Sequence, residues 1–425
     1  MFNKLACRLT TSWSAVLRHI KSKSSLARNF STLLLCTIIG SSLGLFSMVL
    51  LAKYMGPSEF GLFSVSLSLI NIAIVPASVG LNAGVVYKST GAGDTEDVLT
   101  AAAVCGALYL AVLALGCYLG KSYLPPGVGR AIESTRPYVV TLSLFTLASG
   151  MADAYLRATQ KIRQLSFIRL TTGAINLFVA VGCVALHFVS ANAPLLAKSA
   201  ECLVFFLLAT TMYHRRGDLS LRVMADLAKY AAPASLGVVG MAVFCSADKL
   251  VIGEFLDSQE VGLYSMMFFV TYTLVSRFVD VVLAVFFSSA ISYRDKSALA
   301  AILLRSTVPF VIVSLPMVFV ITIVVGHLLG DRYSVPLLMR MTFTLGGVLF
   351  FVAHLYWWFI GSLGGPGIRL FALFSAISSA VVIAVNFMLL PMHGITGATV
   401  ALALGTVFLF ISGYITVLSV AKRVG

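Results

Sequence analysis

Charged residues are scarce in this sequence. Only 11% of its 425 residues are charged, whereas 59% are hydrophobic, and the mean hydropathy is +0.98. A soluble domain carries roughly 25% charged residues, so this chain cannot cover a water-facing surface. Its apolar runs suit helices that cross a bilayer, which need about 20 residues each, and they are too long for barrel strands. The composition therefore predicts an all-α integral membrane protein.

Motifs for metal, redox or nucleotide chemistry are also missing. The six histidines form no HxxxH or HExxH pair, and no G-x-x-x-x-G-K-[ST] phosphate loop occurs. The seven cysteines are scattered without a CxxC pair, which favours free buried thiols over a metal site or a disulfide framework. They are Cys7, Cys36, Cys105, Cys117, Cys183, Cys202 and Cys245. We therefore expect no cofactor and no metal.

Basic residues are plentiful, and their distribution indicates a membrane topology rather than a nucleic-acid partner. The net charge is +14, and no acidic residue precedes Glu59. The Ser/Arg-rich start is typical of a transit peptide too, but a long apolar span follows it directly, which favours a cytoplasmic tail over residues 1–30. Hydropathy predicts twelve transmembrane spans, at about 31–53, 60–87, 98–120, 137–157, 167–190, 193–213, 230–254, 261–290, 303–328, 335–361, 368–390 and 394–420.

The positive-inside rule orients these spans. With the N-terminus inside, the inward segments hold seventeen basic residues and the outward loops hold four. Both termini and the charged connection 214–229 are therefore predicted to lie in the cytoplasm. That connection divides the chain into an N-lobe of six spans at 31–213 and a C-lobe of six spans at 230–425.

One short segment occurs twice. "YMGPSEFGLFS" (54–64) and "FLDSQEVGLYS" (255–265) match at a constant offset of 201 positions, and "FIRL" (167–170) returns as "GIRL" (367–370) at offset 200. Because an even number of spans separates the copies, both halves have the same orientation, which is a parallel duplication about an axis along the membrane normal. Each repeated segment is predicted to be the tight outer corner of a helical hairpin, with turn and N-cap residues.

These motifs also resemble a known family. The corner at 54–64, "ASVGLNAGVVYK" (77–88), "ADKLVIGEFLDSQEVGLYS" (247–265) and "LLPMHGITGATVALALG" (389–405) are similar to the Wzx-type polysaccharide flippases of the MOP superfamily. The resemblance covers roughly residues 31–420. It implies two six-helix bundles around a central cavity that opens alternately to the inside and the outside.

Charged residues within spans are the candidate functional residues, because each is costly unless it is paired or hydrated. Arg277 and Asp280 lie one turn apart near the middle of the eighth span. Two interpretations are open: the two residues form a structural pair, or Arg277 lines the cavity and binds an anionic head group. Arg157, Arg169 and Arg369 either snorkel to lipid phosphates or load a lipid-phosphate substrate at the inner side. Asp153 and Asp248 are candidates for coupling to an ion.

For two further groups we prefer a structural interpretation to a functional one. Lys198 and Glu201 are three residues apart and are expected to form a structural pair. Tyr356, Trp357 and Trp358 fit an interfacial aromatic belt at the inner side better than a sugar-stacking platform.

The resemblance implies a flippase that moves a lipid-linked oligosaccharide, with undecaprenyl pyrophosphate as the lipid carrier, across the bacterial inner membrane. Its partners are then membrane lipids and a polysaccharide polymerase with chain-length machinery. A multidrug exporter of the same superfamily is the main alternative, although it favours acidic cavity groups. A membrane glycan polymerase or ligase carries a large outer loop, whereas the longest predicted outer loop here, about 121–136, is short and holds one acid, Glu133. The sequence therefore does not favour an enzyme.

Overall fold

The computed structural model describes residues 24–89, 95–119, 126–159, 161–212, 218, 220–276 and 295–422. Apart from a short 3-10 turn at Asp331–Tyr333, its regular elements are ten long helices. They are α1 Ser24–Ser89, α2 Thr95–Leu119, α3 Pro126–Ala158, α4 Ile162–Ala185, α5 Asn192–Thr210, α6 Leu221–Phe255, α7 Ser258–Phe268, α8 Lys296–Leu329, α9 Leu337–Gly361 and α10 Gly365–Lys422. Helix α7 continues through a π-helical turn at Phe269–Thr273. The predicted all-α membrane class is confirmed.

Helices α1 and α10 are each long enough for two spans, and each is broken at one glycine. Gly56 has φ 77° and ψ 169°, and Gly394 has φ 54° and ψ −143°. Positive φ is disfavoured for residues with a Cβ, so glycine permits the sharp change of direction at both points. Pro57, which follows Gly56, suits the first position of a new helix because its missing N–H has no partner to lose there. The first, second, eleventh and twelfth predicted spans thus form two hairpins.

Nine helices in the described ranges are long and apolar enough to cross a membrane, and α1 and α10 are the two double-length ones. The start of the eighth predicted span is α7, which is described as far as Ser276. Large apolar side chains on these helices point outward, as a lipid-facing surface requires; Phe178 and Val313 are examples. The total of twelve spans and the lobe boundaries stay predictions.

The second repeated corner has the capping chemistry that the sequence predicts. Asp257 is the N-cap of α7, and its carboxylate accepts a hydrogen bond from the backbone N–H of Glu260 at 2.9 Å. This bond satisfies one of the backbone donors that a helix start leaves unpaired. The corner between α6 and α7 is therefore fixed by a local side chain.

The two repeated corners are in direct contact with each other. A Cβ on Gly61 would lie 1.8 Å from the carbonyl oxygen of Ser258, and a Cβ on Gly262 would lie 1.9 Å from that of Pro57. Gly61 and Gly262 are equivalent at the offset of 201, and so are Pro57 and Ser258. The contact is thus reciprocal, as at a two-fold interface. It places both corners at one end of the helix bundle, which we call the corner end.

The predicted aromatic belt is wrong. Tyr356 and Trp357 are fully buried in the core of the second half, and Trp358 packs partly against the same core. Helix α9 is enclosed by α8 and α10. The indole N–H of Trp357 donates to the carbonyl oxygen of Leu409 at 3.0 Å, so its polar atom is satisfied inside the protein and needs no interface.

Candidate functional site

A cavity of about 210 Å³ lies between the two halves of the chain. Its walls come from the second segment of α1, from α6, from α7 with its continuation, and from α9. The lining residues are Phe60, Phe63, Ser64, Leu67, Ser68, Asn71, Met241, Cys245, Lys249, Ser265, Phe268, Phe269, Tyr272, Thr273, Ser276, Phe350 and His354. Most of these side chains are aromatic or carry a hydroxyl or amide group, and one is a lysine.

Two of the cavity walls are copies of one another. Ser64 on α1 and Ser265 on α7 are equivalent at the offset of 201, and so are Asn71 and Tyr272. The other two walls differ, because α6 and α9 belong to the second half and, within the described ranges, the equivalent helices of the first half do not line the cavity. The cavity therefore has two walls, α1 and α7, with lining residues at equivalent positions. The side chains of α6 and α9 make it asymmetric.

Among the described residues that line this cavity, Lys249 is the charged one. Its ammonium donates to the carbonyl oxygen of Cys245 at 2.6 Å and to the carboxylate of Asp248 at 3.1 Å. It also lies 3.5 Å from the centroid of the Phe268 ring, a close cation–π contact. The residue is only 6% exposed. An ammonium has three donors, and two are used here, so the third faces the aromatic wall of the cavity.

Asp248 lies on the side of Lys249 away from the cavity and is fully buried. One carboxylate oxygen accepts from Lys249, and the other accepts from the hydroxyl of Tyr264 at 2.5 Å. Tyr264 is itself fully buried and packs edge-on against Phe343. Asp248 is not among the described residues that line the cavity. The pair thus presents its positive member to the cavity and keeps its negative member in the protein interior.

The corner contact lies next to the cavity, at the corner end. Phe60 and Phe63, which line the cavity, directly follow the first corner. Beside them the hydroxyls of Ser58 and Ser258 are 2.6 Å apart, and Tyr333 donates to the carbonyl oxygen of Ala52 at 3.0 Å. Since Tyr333 belongs to the second half and Ala52 to the first, both contacts join the two halves.

Three of the predicted site residues meet in the first half, away from the cavity. Asp153 accepts from Arg157 at 2.6 Å and from Arg169 at 3.0 Å. Arg169 also donates to the hydroxyl of Thr37 at 3.4 Å, which ties α1, α3 and α4 together. The ion-coupling role predicted for Asp153 and the lipid-phosphate role predicted for the two arginines stay predictions.

The remaining predicted residues have different surroundings. Arg369 is exposed near the start of α10. Arg277 and Asp280 lie outside the described residues. The predicted pair of Lys198 and Glu201 is present at 2.8 Å.

Sequence reasoning identified Asp248 but missed Lys249 as the residue that faces the cavity. A signal was available in the spacing. Met241, Cys245 and Lys249 are four residues apart, so they share one face of α6. A cation that continues an apolar helical stripe points toward the same surface as that stripe, which here is the cavity wall. Among the described residues, no group of three or more His, Cys, Asp or Glu residues could hold a metal ion.

Comparison with known sequences determines the family. A profile described as "Polysaccharide biosynthesis protein" matches residues 50–335, which is more than half of the chain. The chain belongs to the polysaccharide biosynthesis protein family. A relative in Haloferax volcanii, the probable low-salt glycan biosynthesis flippase Agl15, is 21% identical over 399 residues, covering 89% of this chain and 80% of the relative.

Solved structures share the fold of this family member. An inward-facing multidrug resistance MATE transporter of the MOP superfamily superposes with a TM-score of 0.68 at 11% identity, covering 91% of this chain and 96% of the transporter. The lipid II flippase MurJ in an inward closed conformation gives 0.65 at 13% identity, covering 92% and 89%. The chain therefore has the fold of MOP-type transporters and lipid flippases, and its resemblance to the MOP superfamily is confirmed.

Proposed function

We propose that this protein is a flippase that moves a lipid-linked, anionic glycan precursor across a membrane by alternating access. The observation that carries the proposal is a central cavity whose charged lining residue, within the described part of the chain, is Lys249. A diphosphate or phosphate linker is the anionic group of such a precursor. An ammonium held against an aromatic wall, with water largely excluded, is a strong point of attraction for it.

The other lining groups suit the sugar part of the cargo. Ser64, Ser68, Asn71, Thr273 and Ser276 offer hydroxyl and amide groups that hydrogen-bond sugar hydroxyls. The phenylalanine rings supply flat apolar faces. Ligand pockets usually have volumes of about 300 to 1,000 Å³, and the cavity here is about 210 Å³. An oligosaccharide therefore needs a wider conformation of the same site, with the corner contact or the opposite end opened.

The finer features of the proposal come from the sequence. The cargo is an oligosaccharide repeat unit on undecaprenyl pyrophosphate, the membrane is the bacterial inner membrane, and both termini lie in the cytoplasm. Membrane lipids and a polysaccharide polymerase with chain-length machinery are the partners, and the protein performs no chemical reaction on its cargo. The glycan-related family and the flippase relative support this assignment.

The cavity charge argues against the multidrug alternative. A binding site for cationic drugs is favoured by uncompensated acidic groups, whereas Asp248 is buried behind Lys249 and bonded to it. The MATE likeness concerns the fold alone.

Reconstituted vesicles test the function directly. Purified protein in proteoliposomes should move a fluorescent polyprenyl diphosphate that carries one sugar from one leaflet to the other, as measured by protection from a membrane-impermeant quencher. Lys249→Met should reduce the rate at least about 30-fold, since a charge-assisted contact contributes about 2 to 4 kcal/mol. Movement of the cationic dye ethidium, with no movement of the diphosphate, would establish the multidrug alternative instead.

Two matched variants sharpen this result. Arg305→Gln removes an exposed cation of α8 and should leave the rate within about twofold, because exposed charges contribute little. Met48→Lys combined with Lys249→Met returns a lysine to the equivalent position in the first half, which does not line the cavity. The double variant should stay inactive. Recovery of transport would show that the cation acts without facing this cavity.

A further inference from the structure

The Asp248–Lys249 pair contains a buried acid that a site for an anion does not require. If attraction of an anion were the only task, a buried acid next to the cation would weaken it, because the carboxylate offsets the charge of the ammonium. Instead the acid is fully buried and both its oxygens are bonded. The arrangement therefore indicates a second role for the acid.

Tyr264 fixes the acid from a neighbouring helix. Its hydroxyl donates to Asp248 at 2.5 Å across the junction of α6 and α7. Asp248 also accepts the backbone N–H of Lys249 at 2.8 Å, so the carboxylate cannot rotate without losing bonds. The ammonium in turn is held between this carboxylate, the carbonyl of Cys245 and the ring of Phe268. The positions of acid and base are thus set by bonds that do not involve the cargo.

We propose that Asp248 and Tyr264 are positioning residues that aim Lys249 at the cavity. The carboxylate of Asp248 also cancels the charge of the ammonium, so this site moves through the membrane field without net charge when it is empty. The inference rests on the proposed function, because it assigns these residues a role in the transport cycle. The membrane potential then acts on the charge of the cargo and not on the empty Asp248–Lys249 pair during the return step.

The size of the effect follows from electrostatics. Moving one elementary charge across 100 mV changes the free energy by about 2.3 kcal/mol, which corresponds to about a 50-fold change in rate if the charge crosses the whole field. Without the acid, Lys249 would add one positive charge to the returning site. The dependence of transport on potential should therefore change when Asp248 is neutralised, although the cargo is the same.

The experiment uses proteoliposomes with a potassium diffusion potential set by valinomycin. The rate of polyprenyl diphosphate movement is measured at several potentials for the wild type and for Asp248→Asn. The variant should show a potential dependence that differs from the wild type by severalfold and at most about 50-fold per 100 mV. An unchanged dependence in a normally abundant Asp248→Asn protein would overturn the inference.

A second pair of variants covers the case in which Asp248→Asn fails to fold, since an unpaired buried charge is strongly destabilising. Tyr264→Phe keeps both charges and the ring but removes the bond to Asp248. It should raise the KM for the diphosphate severalfold, with abundance and potential dependence unchanged. Tyr356→Phe is the control, because Tyr356 is fully buried in the same half and its hydroxyl bonds to Thr307 away from the cavity. Equal KM values for Tyr264→Phe and the wild type would contradict the positioning role.

A binding measurement separates this inference from the proposed function. Inorganic pyrophosphate should stabilise the detergent-solubilised wild type against thermal unfolding, and Tyr264→Phe should weaken that stabilisation whereas Tyr356→Phe should not. If wild-type vesicles move no lipid diphosphate, the flippase function fails, and the pyrophosphate series still decides the positioning role. If the wild type transports and Tyr264→Phe changes neither KM nor pyrophosphate stabilisation, only the positioning role fails.

Discussion

The two halves of the chain have the same helical plan but use the same position for different purposes. Ser47 on α1 and Asp248 on α6 are equivalent at the offset of 201. In the first half, Ser47 donates to the side-chain oxygen of Asn176 at 2.6 Å, and Asn176 donates to Glu201 at 2.7 Å. In the second half, Asp248 bonds to Lys249 and Tyr264. A polar group at this position is thus kept in both halves, and its partners differ.

The difference lies in what the polar groups face. In the first half the network ends in the pair of Lys198 and Glu201 and joins α1, α4 and α5. The position equivalent to Glu201 in the second half is the buried Leu402, so no such network forms there. In the second half the charge is next to the cavity instead. Polar groups therefore connect helices inside the first half, whereas in the second half they place a lysine in the wall of the cavity.

The corners show the opposite behaviour, because there the two halves are equivalent in both sequence and contact. Gly61 and Gly262 approach the opposite backbone at almost the same distance. Under the proposed function, the repeat is kept at the corners, where alternating access requires the halves to move against each other, and it has diverged next to the cavity that we propose binds the cargo. The predictions below challenge this division.

A cross-link between the corners has the largest expected effect. The hydroxyl oxygens of Ser58 and Ser258 are 2.6 Å apart, and a disulfide requires about 2.05 Å between sulfur atoms, so cysteines at both positions need little movement to join. Oxidation of Ser58→Cys with Ser258→Cys should stop transport almost completely, and reduction should restore it. The rate is measured in proteoliposomes before and after oxidant.

Each single cysteine variant under the same oxidant is the control for the native cysteines. Continued transport by the fully cross-linked protein would show that the corner end does not open during the cycle. The contact between the two corners would then stay closed throughout transport.

The glycine pair comes next in expected effect. Gly61→Ala and Gly262→Ala each place a methyl group less than 2 Å from a backbone carbonyl oxygen of the other corner. Backbone cannot move aside cheaply, and overpacking costs about 1 to 3 kcal/mol. Both variants should lower the transport rate about tenfold and by similar amounts, because the contact is reciprocal.

Gly44→Ala is the matched control in α1, since no described atom lies within 4 Å of a Cβ there. It should leave the rate within about twofold. A severe effect at Gly61 with none at Gly262 would refute the equivalence of the corners, even if the fold is intact by abundance and thermal stability.

The sequence predicted much of the fold for physical reasons. The bilayer sets the length of each apolar segment and the placement of Lys and Arg, and it does so for every span alike. The helices and their order could therefore be predicted from the sequence. The two repeated corners could be predicted because turn residues such as Gly56 and Asp257 act locally, whereas the parallel arrangement of two six-span lobes stays a prediction. The prediction of an aromatic belt failed because whether Trp357 faces lipid or protein depends on how α8 and α10 pack around α9, which the residues near Trp357 do not show.

The site was predicted only in part for the same reason. A single sequence shows that Asp153 and Arg157 can pair at one helical turn, and they do. It does not show that Arg169 from the next helix joins them, or that Lys249 rather than Asp248 faces the cavity. Those facts depend on rotation of α4 and α6 about their axes, which packing determines.

The smallest expected effect concerns two equivalent acids next to the corners. Glu59 accepts the backbone N–H of Ala191 at 2.7 Å, and this bond fixes the corner of the first half to the connection between α4 and α5. Glu260 occupies the equivalent position, but one of its carboxylate oxygens is buried without a partner among the described residues. A hydrogen bond to a charged group contributes about 1.5 to 3 kcal/mol. Glu59→Ala should therefore lower the thermal unfolding midpoint in detergent by several degrees, and Glu260→Ala should change it much less.

Glu59→Gln should recover most of the loss because its amide oxygen can accept the same bond. Equal losses for the two alanine variants would mean that both acids act through the positive ends of their helices, and the corners would then be equivalent in stability as well as in contact.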